Sequence, residues 1–199
     1  MESKIRNGIL SIRQITTIGM LSGISIFLGV TGLGFIPLPT MRATIMHIPV
    51  IIGGIIEGPV VGGLVGLVFG LFSMYQNFTA PGPTSFIFWN PIIAIIPRIL
   101  VGIVAYYVYN TLYNKIKKEG LSIAFASLFA SLTNTAGVLG LAYLFYLEKY
   151  SAALGINPDT AGVAIAGIGI TNGIPEAIVS TIICIPVIMS IFKIKKSRN

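Results

Sequence analysis

The sequence predicts an all-α membrane protein, a compact bundle of six transmembrane helices with both termini on the cytoplasmic side. The composition is 54% hydrophobic and only 10% charged, with a mean hydropathy of +0.90. A soluble domain carries roughly 25% charged residues, so this chain is too poor in charge to cover a water-facing surface. Six apolar runs also follow one another, at 15–36, 43–56, 59–77, 90–112, 121–147 and 163–192.

The lengths of these runs show which of them can cross a bilayer. A span needs about 20 apolar residues, and five of the runs are long enough. The second run, 43–56, is shorter and contains Pro49, so we expect it to be tilted, kinked or only partly inserted. The first run is too long for a signal-peptide core and is interpreted as a helix that stays. Residues 1–199 are expected to form a single domain.

Basic residues are distributed unevenly over the links between these runs. With six spans, the two termini and the link 113–120 lie on one side, and each carries a cluster of lysine and arginine. The opposite links contain only Arg42 and Lys149 as cations. Because basic links stay in the cytoplasm, the termini are predicted to be inside. The opposite links, which are rich in turn-forming residues and typical of loops that cap a cavity, are 37–42, 78–89 and 148–162.

No arrangement of residues points to catalysis. The chain has a single histidine, His47, and lacks a phosphate-binding loop, a nucleophile elbow and paired carboxylates at a useful spacing. Its single cysteine, Cys184, can form neither an intramolecular disulfide nor a metal cluster. We therefore expect no enzyme activity, no bound metal and no cofactor.

Arg98 and Glu176 are the charged residues that lie within predicted spans. Arg98 follows Asn90 by eight residues, which places it about 12 Å deep in a helix. An arginine in the membrane costs at least about 2.5 kcal/mol, so it needs a carboxylate, carbonyl groups or water. Glu176 is its natural partner. The sequence leaves open whether the two only neutralise each other or line a substrate cavity.

Other polar residues in the apolar runs are further candidates for ligand contact. Asn134 lies in the fifth run, where it can bind a ligand or bridge two helices. Asn172 precedes Pro175, which frees a backbone carbonyl and can break the helix near a site.

Residues near the ends of the runs complete the set of candidates for the substrate site. Trp89 and Asn90 open the fourth run, and Trp89 can be an interface anchor or, with Tyr75, stack on a ligand. Arg42 is either a headgroup anchor or a ligand clamp. His47 is expected to form a helix–helix hydrogen bond and not a proton relay, since no chain of acidic residues accompanies it, and it remains a candidate for substrate contact.

The first run carries two small residues, Gly19 and Gly23, spaced by four. Such a pair lets a second helix approach closely. That helix can belong to the same chain or to a partner subunit.

Several stretches together resemble the substrate-binding S components of energy-coupling factor (ECF) transporters, which take up vitamins. They are GMLSG in the first run, the segment IPLPTMRATIMHIPVIIGGIIEGPVVGGLVGLVFG, FWNP at the fourth run and TNGIPEA in the sixth. The resemblance covers nearly the whole chain, and the order and spacing of these stretches are more specific than any one of them.

The resemblance implies a mechanism and partners. An S component binds its vitamin under its outer loops, docks on a transmembrane coupling subunit with two ATPases, and topples to release the vitamin inside. By this resemblance, the chain would lie in a prokaryotic plasma membrane. In the family, an Ala-x-x-x-Ala-like motif of the first helix contacts the coupling subunit, and Gly19 and Gly23 occupy the matching positions.

The substrate implied by the resemblance is pantothenate, because ATIMHIPVIIGGIIEGP looks most like pantothenate-type members. Pantothenate carries a carboxylate that Arg98 or Arg42 could clamp. Riboflavin, pyridoxine, cobalamin or another vitamin remains an alternative, although riboflavin-type members usually show a Lys-x-Asp-like pattern where this chain has Arg-Ala-Thr. A stand-alone secondary carrier is the alternative from another class, but neither an inverted repeat nor paired acidic residues are evident.

Overall fold

Six helices and one short hairpin make up the described part of the chain. The computed structural model describes residues 10–38, 41–82, 84–155 and 157–198. The helices are α1 Ile12–Thr31, α2 Ile48–Glu57, α3 Pro59–Thr79, α4 Pro91–Ile116, α5 Glu119–Leu154 and α6 Pro158–Arg198. Two strands, β1 Phe35–Leu38 and β2 Met41–Thr44, join α1 to α2, and a 3-10 segment, Ser85–Trp89, joins α3 to α4.

Five of the helices are long and apolar enough to cross a membrane. The exception is α2, which has only 10 residues and begins with a proline in its first turn. It is nevertheless among the most deeply buried elements, since Val50 and Ile51 are fully enclosed by the core. The short second run is therefore a half-length helix inside the bundle.

The connection between α1 and α2 differs from the predicted helical runs. The run 15–36 predicted a helix to residue 36, but α1 ends at Thr31 because Gly32 adopts a left-handed conformation with φ of 74°. A proline in β1, Pro37, cannot donate a helical hydrogen bond. The chain instead forms an antiparallel hairpin in which Phe35 pairs with Thr44. The second helix accordingly begins at Ile48 and not at residue 43.

Glycines bring α3 and α4 into backbone contact. Gly62 packs against Gly102, and Gly66 packs against the carbonyl of Arg98, so closely that a Cβ at either α3 glycine would collide with the α4 backbone. The two α3 glycines are four residues apart and therefore lie on one helix face. This contact places the Arg98 turn of α4 directly against α3.

The last two helices are long, and each contains an irregular point. In α5, Tyr146 has a non-helical backbone conformation (φ −137°, ψ 23°) that marks a kink. The helix α6 continues through Pro175 and Pro186. The sequence predicted that Pro175 can break this helix, but α6 does not end there.

Three ion pairs among the described residues join basic residues near the two termini to Glu57 and Glu119, at the end of the bundle opposite the hairpin. Glu57, the last residue of α2, accepts hydrogen bonds from Arg13 at 2.6 Å and from Lys195 at 3.3 Å. Lys196 lies 3.9 Å from Glu119 at the start of α5. Arg13, Lys195 and Lys196 thus lie at one end of the described bundle, together with Glu119 of the link 113–120.

Candidate binding cavity

A polar cavity of about 420 Å³ lies at the hairpin end of the bundle. It is built by α3, α4 and α5 together with the hairpin and the 3-10 segment. Of the three links predicted to cap a cavity, 78–89 contributes Ser85 and Phe88 through the 3-10 segment. Phe35 and Thr44 line the cavity from the hairpin and flank the predicted link 37–42, whose side chains lie outside the described part. Arg98 and Asn134 line the same cavity from α4 and α5.

Arg98 supplies a buried positive charge to this cavity. Its side chain is only 5% exposed, and Nη1 donates a hydrogen bond to the Ile93 carbonyl at 2.9 Å. The Cζ atom lies 5.6 Å from the ring centroid of Phe69 and 5.0 Å from that of Phe88. Among the described residues, Nε has no hydrogen-bond partner. The guanidinium therefore keeps donors available for a ligand.

Arg98 and Glu176 do not form a direct pair. No ion pair or hydrogen bond joins them within the described ranges, although they are close enough to interact electrostatically. Glu176 Oε1 instead accepts a hydrogen bond from the backbone N–H of Thr44 at 2.9 Å. Glu176 therefore attaches the hairpin to α6, and no ion pair joins Arg98 to a carboxylate among the residues that the structure describes.

Asn134 is the second polar group of the cavity without a full set of partners. It is 6% exposed, and its Oδ1 accepts no hydrogen bond from the residues that the structure describes. Leaving a buried acceptor unsatisfied costs about 1–3 kcal/mol. Arg98 and Asn134 thus present a cationic donor and a neutral amide to the same space.

Five further polar residues line the cavity, and sequence reasoning missed them. They are Thr44, Ser73, Gln76, Asn77 and Ser85. Asn77 Nδ2 donates to the Ser73 carbonyl at 2.8 Å, while Ser85 Oγ donates to Asn77 Oδ1 at 2.7 Å. Gln76 Nε2 donates to the Gly29 carbonyl of α1 at 3.2 Å. The available signal was the Gln76–Asn77 pair at the end of an apolar run, just before a Pro-Gly turn.

The candidates near the ends of α3 and α4 lie outside the set that lines this cavity. Tyr75 is 63% exposed on α3. Trp89 is 45% exposed, stacks on Phe78 with centroids 5.5 Å apart, and donates its ring N–H to the Asn77 carbonyl. Asn90 caps α4, since its Oδ1 accepts from the Ile92 N–H at 3.0 Å. Their geometry fits helix ends and surface packing better than ligand contact.

His47, Asn172 and Arg42 complete the predicted substrate set. His47 is fully buried, and its Nε2 lies 2.8 Å from Ser180 Oγ of α6, which is the helix–helix hydrogen bond that its sequence context suggested. Asn172 is half-buried in α6 and is absent from the cavity lining. Arg42 belongs to β2 and pairs with Pro37, but its side chain lies outside the described part.

Gly19 and Gly23 lie on the outer surface of α1. A side chain added at either position would meet no atom within 4 Å. The described helices therefore do not use this pair as a close contact, and it stays open for another chain.

Two other grooves, one larger and one smaller than this cavity, are almost entirely apolar. One, of about 700 Å³, runs between α5 and α6, and the other, of about 340 Å³, lies between α3 and α4. Their linings contain no charged side chain. Such grooves on lipid-facing helices suit acyl chains, whereas a small polar solute requires the polar partners of the 420 Å³ cavity.

Comparison with known proteins identifies the family. The model of the family described as "ECF transporter, substrate-specific component" matches residues 13–188. The chain belongs to this family. The resemblance drawn from the motifs is thereby confirmed, and the chain is a transporter component and not an enzyme.

Two curated relatives carry a substrate in their names. The chain is 33% identical over 177 residues to the "Pantothenic acid transporter PanT" of Lactococcus lactis subsp. cremoris, covering 82% of each protein. It is 35% identical over 159 residues to the "Pantothenate transporter PanT" of Leuconostoc mesenteroides, covering 76% of this chain and 78% of the relative. Both alignments cover most of this chain.

Proposed function

We propose that this ECF component binds pantothenate in the polar cavity and delivers it for uptake. The observation that carries the proposal is Arg98, a buried guanidinium with free donors in a cavity of about 420 Å³. The names of the two curated relatives support the same substrate. Small-molecule sites commonly measure about 300–1,000 Å³, so the cavity is of a suitable size.

The chemistry of pantothenate matches the distribution of polar groups. Its carboxylate would bind Arg98, because guanidinium and carboxylate form charge-assisted and often bidentate hydrogen bonds. Its amide and hydroxyls would meet Asn134 and the neutral polar residues at the end of α3. Cobalamin is too large for a cavity of about 420 Å³, and riboflavin carries no carboxylate for Arg98 to bind.

The two ends of the bundle support an orientation in a prokaryotic plasma membrane. The end with Arg13, Lys195 and Lys196 would face the cytoplasm, since basic segments remain inside. The cavity would then open at the outer face, under the hairpin and the 3-10 segment. Both termini would be cytoplasmic, and the whole chain would act as one six-helix domain.

Delivery would require partner subunits. The chain has no phosphate-binding loop, so the energy would come from two ATPases joined to a transmembrane coupling subunit. The exposed pair Gly19 and Gly23 would form part of the contact with that subunit, because small residues allow close helix approach.

The test is a binding experiment on the purified chain without ATP. Calorimetry would compare pantothenate with its neutral alcohol, pantothenol, for the wild type and for Arg98→Ala. We expect tight pantothenate binding, and a loss of about 30-fold or more in the variant, because removing one partner of a buried charge pair costs about 2–5 kcal/mol. Pantothenol should lose much less.

The matched control is Lys115→Ala, which removes an exposed cation near the end of α4. It should leave both affinities unchanged. Absence of pantothenate binding by the wild type would contradict the proposed substrate. Equal losses for both ligands in Arg98→Ala would contradict the carboxylate assignment.

A further inference from the structure

The Arg98 side chain is held more by aromatic rings than by hydrogen bonds. A guanidinium has five N–H donors. Within the described residues, its one protein hydrogen bond runs from Nη1 to the Ile93 carbonyl at 2.9 Å. One bond to a flexible side chain leaves the plane of the guanidinium poorly defined. Bidentate recognition of a carboxylate, however, requires that plane to be oriented.

Two phenylalanine rings supply the missing constraint. Cζ of Arg98 lies 5.6 Å from the ring centroid of Phe69 and 5.0 Å from that of Phe88. A guanidinium within about 6 Å of a ring centroid is attracted by the negative ring face, and more strongly when it is shielded from water. Arg98 is 5% exposed, so both contacts act in a shielded site.

The two rings come from different kinds of element. Phe69 is buried in the middle of α3, where the helix backbone fixes it. Phe88 is half-buried in the 3-10 segment that connects α3 to α4. The position of Phe88 therefore depends on how this connection is attached to the helices.

Hydrogen bonds to Asn77 attach the 3-10 segment on both sides of Phe88. Ser85 Oγ donates to Asn77 Oδ1 at 2.7 Å, and the Trp89 ring N–H donates to the Asn77 carbonyl at 3.1 Å. Ile87, next to Phe88, is buried in a second hydrophobic cluster. The segment is thus fixed to the end of α3, and the Phe88 ring is held over the Arg98 guanidinium.

We propose that Phe88 is a positioning residue for anion recognition, whose ring orients Arg98 for the carboxylate of the ligand. This inference rests on the proposed function and names a residue that, through Arg98, strengthens the preference of the cavity for an acid over the matching alcohol. The neutral polar residues of the cavity do not require this orientation, so the contribution of Phe88 is specific to the charged end of the ligand.

The experiment measures the ratio of the dissociation constants for pantothenol and pantothenate. In Phe88→Leu, we expect this ratio to fall about fivefold, because the variant lacks the ring face that attracts the cation. The pantothenol affinity should fall less than the pantothenate affinity, since pantothenol has no carboxylate for Arg98 to bind. Phe88→Tyr keeps the ring face and should keep the wild-type ratio.

A matched control is available on the same segment. Phe86→Leu removes a ring that packs edge-on against Tyr146, with centroids 5.8 Å apart, and is not one of the two rings over Arg98. It should leave the ratio unchanged. Pentafluorophenylalanine at position 88 keeps the size of the ring but removes its negative face, so it should lower the ratio like leucine even if Phe88→Leu does not fold.

The possible outcomes separate this inference from the proposed function. An unchanged ratio with pentafluorophenylalanine, or equal losses of both ligands in Phe88→Leu, overturns the positioning role while pantothenate binding by the wild type stands. A wild type that binds neither ligand contradicts the proposed substrate, and the inference falls with it. A lowered ratio in both position-88 variants but not in Phe86→Leu supports the inference.

Discussion

Asn134 and Asn77 both line the cavity, but their side chains differ in whether they find hydrogen-bond partners within the described protein. Asn77 uses its side-chain amide and carbonyl groups within the protein, on Ser73 and Ser85. Asn134 is buried, and its Oδ1 has no partner in the described part of the chain. The first arrangement stabilises the cavity wall, whereas the second lowers the stability of the empty protein and is available for a ligand.

At the residue scale, we therefore predict that Asn134→Leu separates stability from binding. The free energy of unfolding should stay within about 1 kcal/mol of the wild type or rise, because an unsatisfied buried acceptor is removed. Pantothenate affinity should fall about tenfold, since a ligand hydrogen bond is lost. Thermal unfolding and calorimetry check the two effects.

Asn77→Leu is the comparison for this prediction. It should lower the unfolding temperature, because it breaks the attachment of the 3-10 segment to α3. If Asn134→Leu unfolded at a lower temperature and bound pantothenate normally, Asn134 would have a packing role and no ligand contact.

At the scale of elements, α3 shows how one helix serves two environments. Its glycines Gly62 and Gly66 contact the α4 backbone, and Gln76 lines the cavity. Tyr75, one residue earlier, is 63% exposed. Successive residues in a helix are about 100° apart, so neighbours in the sequence point to different surroundings.

The hairpin is attached to α6 by a hydrogen bond from one side chain of that helix. Glu176 of α6 holds it through the Thr44 N–H at 2.9 Å, and Thr44 and Phe35 line the cavity. Glu176 thus contributes to the cavity through the hairpin, whereas the sequence suggested either a pair with Arg98 or direct ligand contact.

We predict that Glu176→Leu accelerates the dissociation of pantothenate, because the hairpin loses this hydrogen bond and opens more often. Glu176→Gln keeps a carbonyl acceptor for the Thr44 N–H and should retain slow dissociation. Stopped-flow displacement of bound ligand measures both rates. Equal rates in the leucine and glutamine variants would show that the bond to Thr44 does not control ligand release.

At the scale of the molecule, the surfaces proposed for binding and for delivery are separate. The cavity lies at the hairpin end, while Gly19 and Gly23 lie on the open side of α1. None of the residues that line the cavity belongs to α1. A change on the glycine surface should therefore affect uptake without affecting the site.

We predict that Gly19→Leu and Gly23→Leu abolish uptake and leave pantothenate binding intact, because a bulky side chain keeps the coupling subunit from close approach. The measurement is uptake of radiolabelled pantothenate by cells that also produce the coupling subunit and the ATPases. Gly140→Leu is the matched control, because this exposed glycine of α5 also has open space around it. Loss of binding in the α1 variants, or equal loss of uptake in the control, would contradict the docking role.

The sequence by itself was sufficient for the membrane character, the candidate spans and the family. These properties depend on composition and local order, because apolar length and the cost of a charge in lipid act on each segment separately. For the same reason Arg98 and Asn134 were recognisable as candidates: a polar residue in an apolar run needs a partner wherever it lies. The position of Arg13, Lys195 and Lys196 at one end also agrees with the predicted order of spans.

The tertiary structure decided which residues share a cavity. Phe88, Arg98 and Asn134 belong to separate elements, and only the packing of those elements brings them together. A hairpin forms where the sequence predicted the ends of two helices, because Gly32 and Pro37 stop α1. Glu176 holds this hairpin through the Thr44 N–H and, among the described residues, forms no ion pair with Arg98. Contacts between residues far apart in the chain depend on the approach of whole helices, which no local pattern encodes.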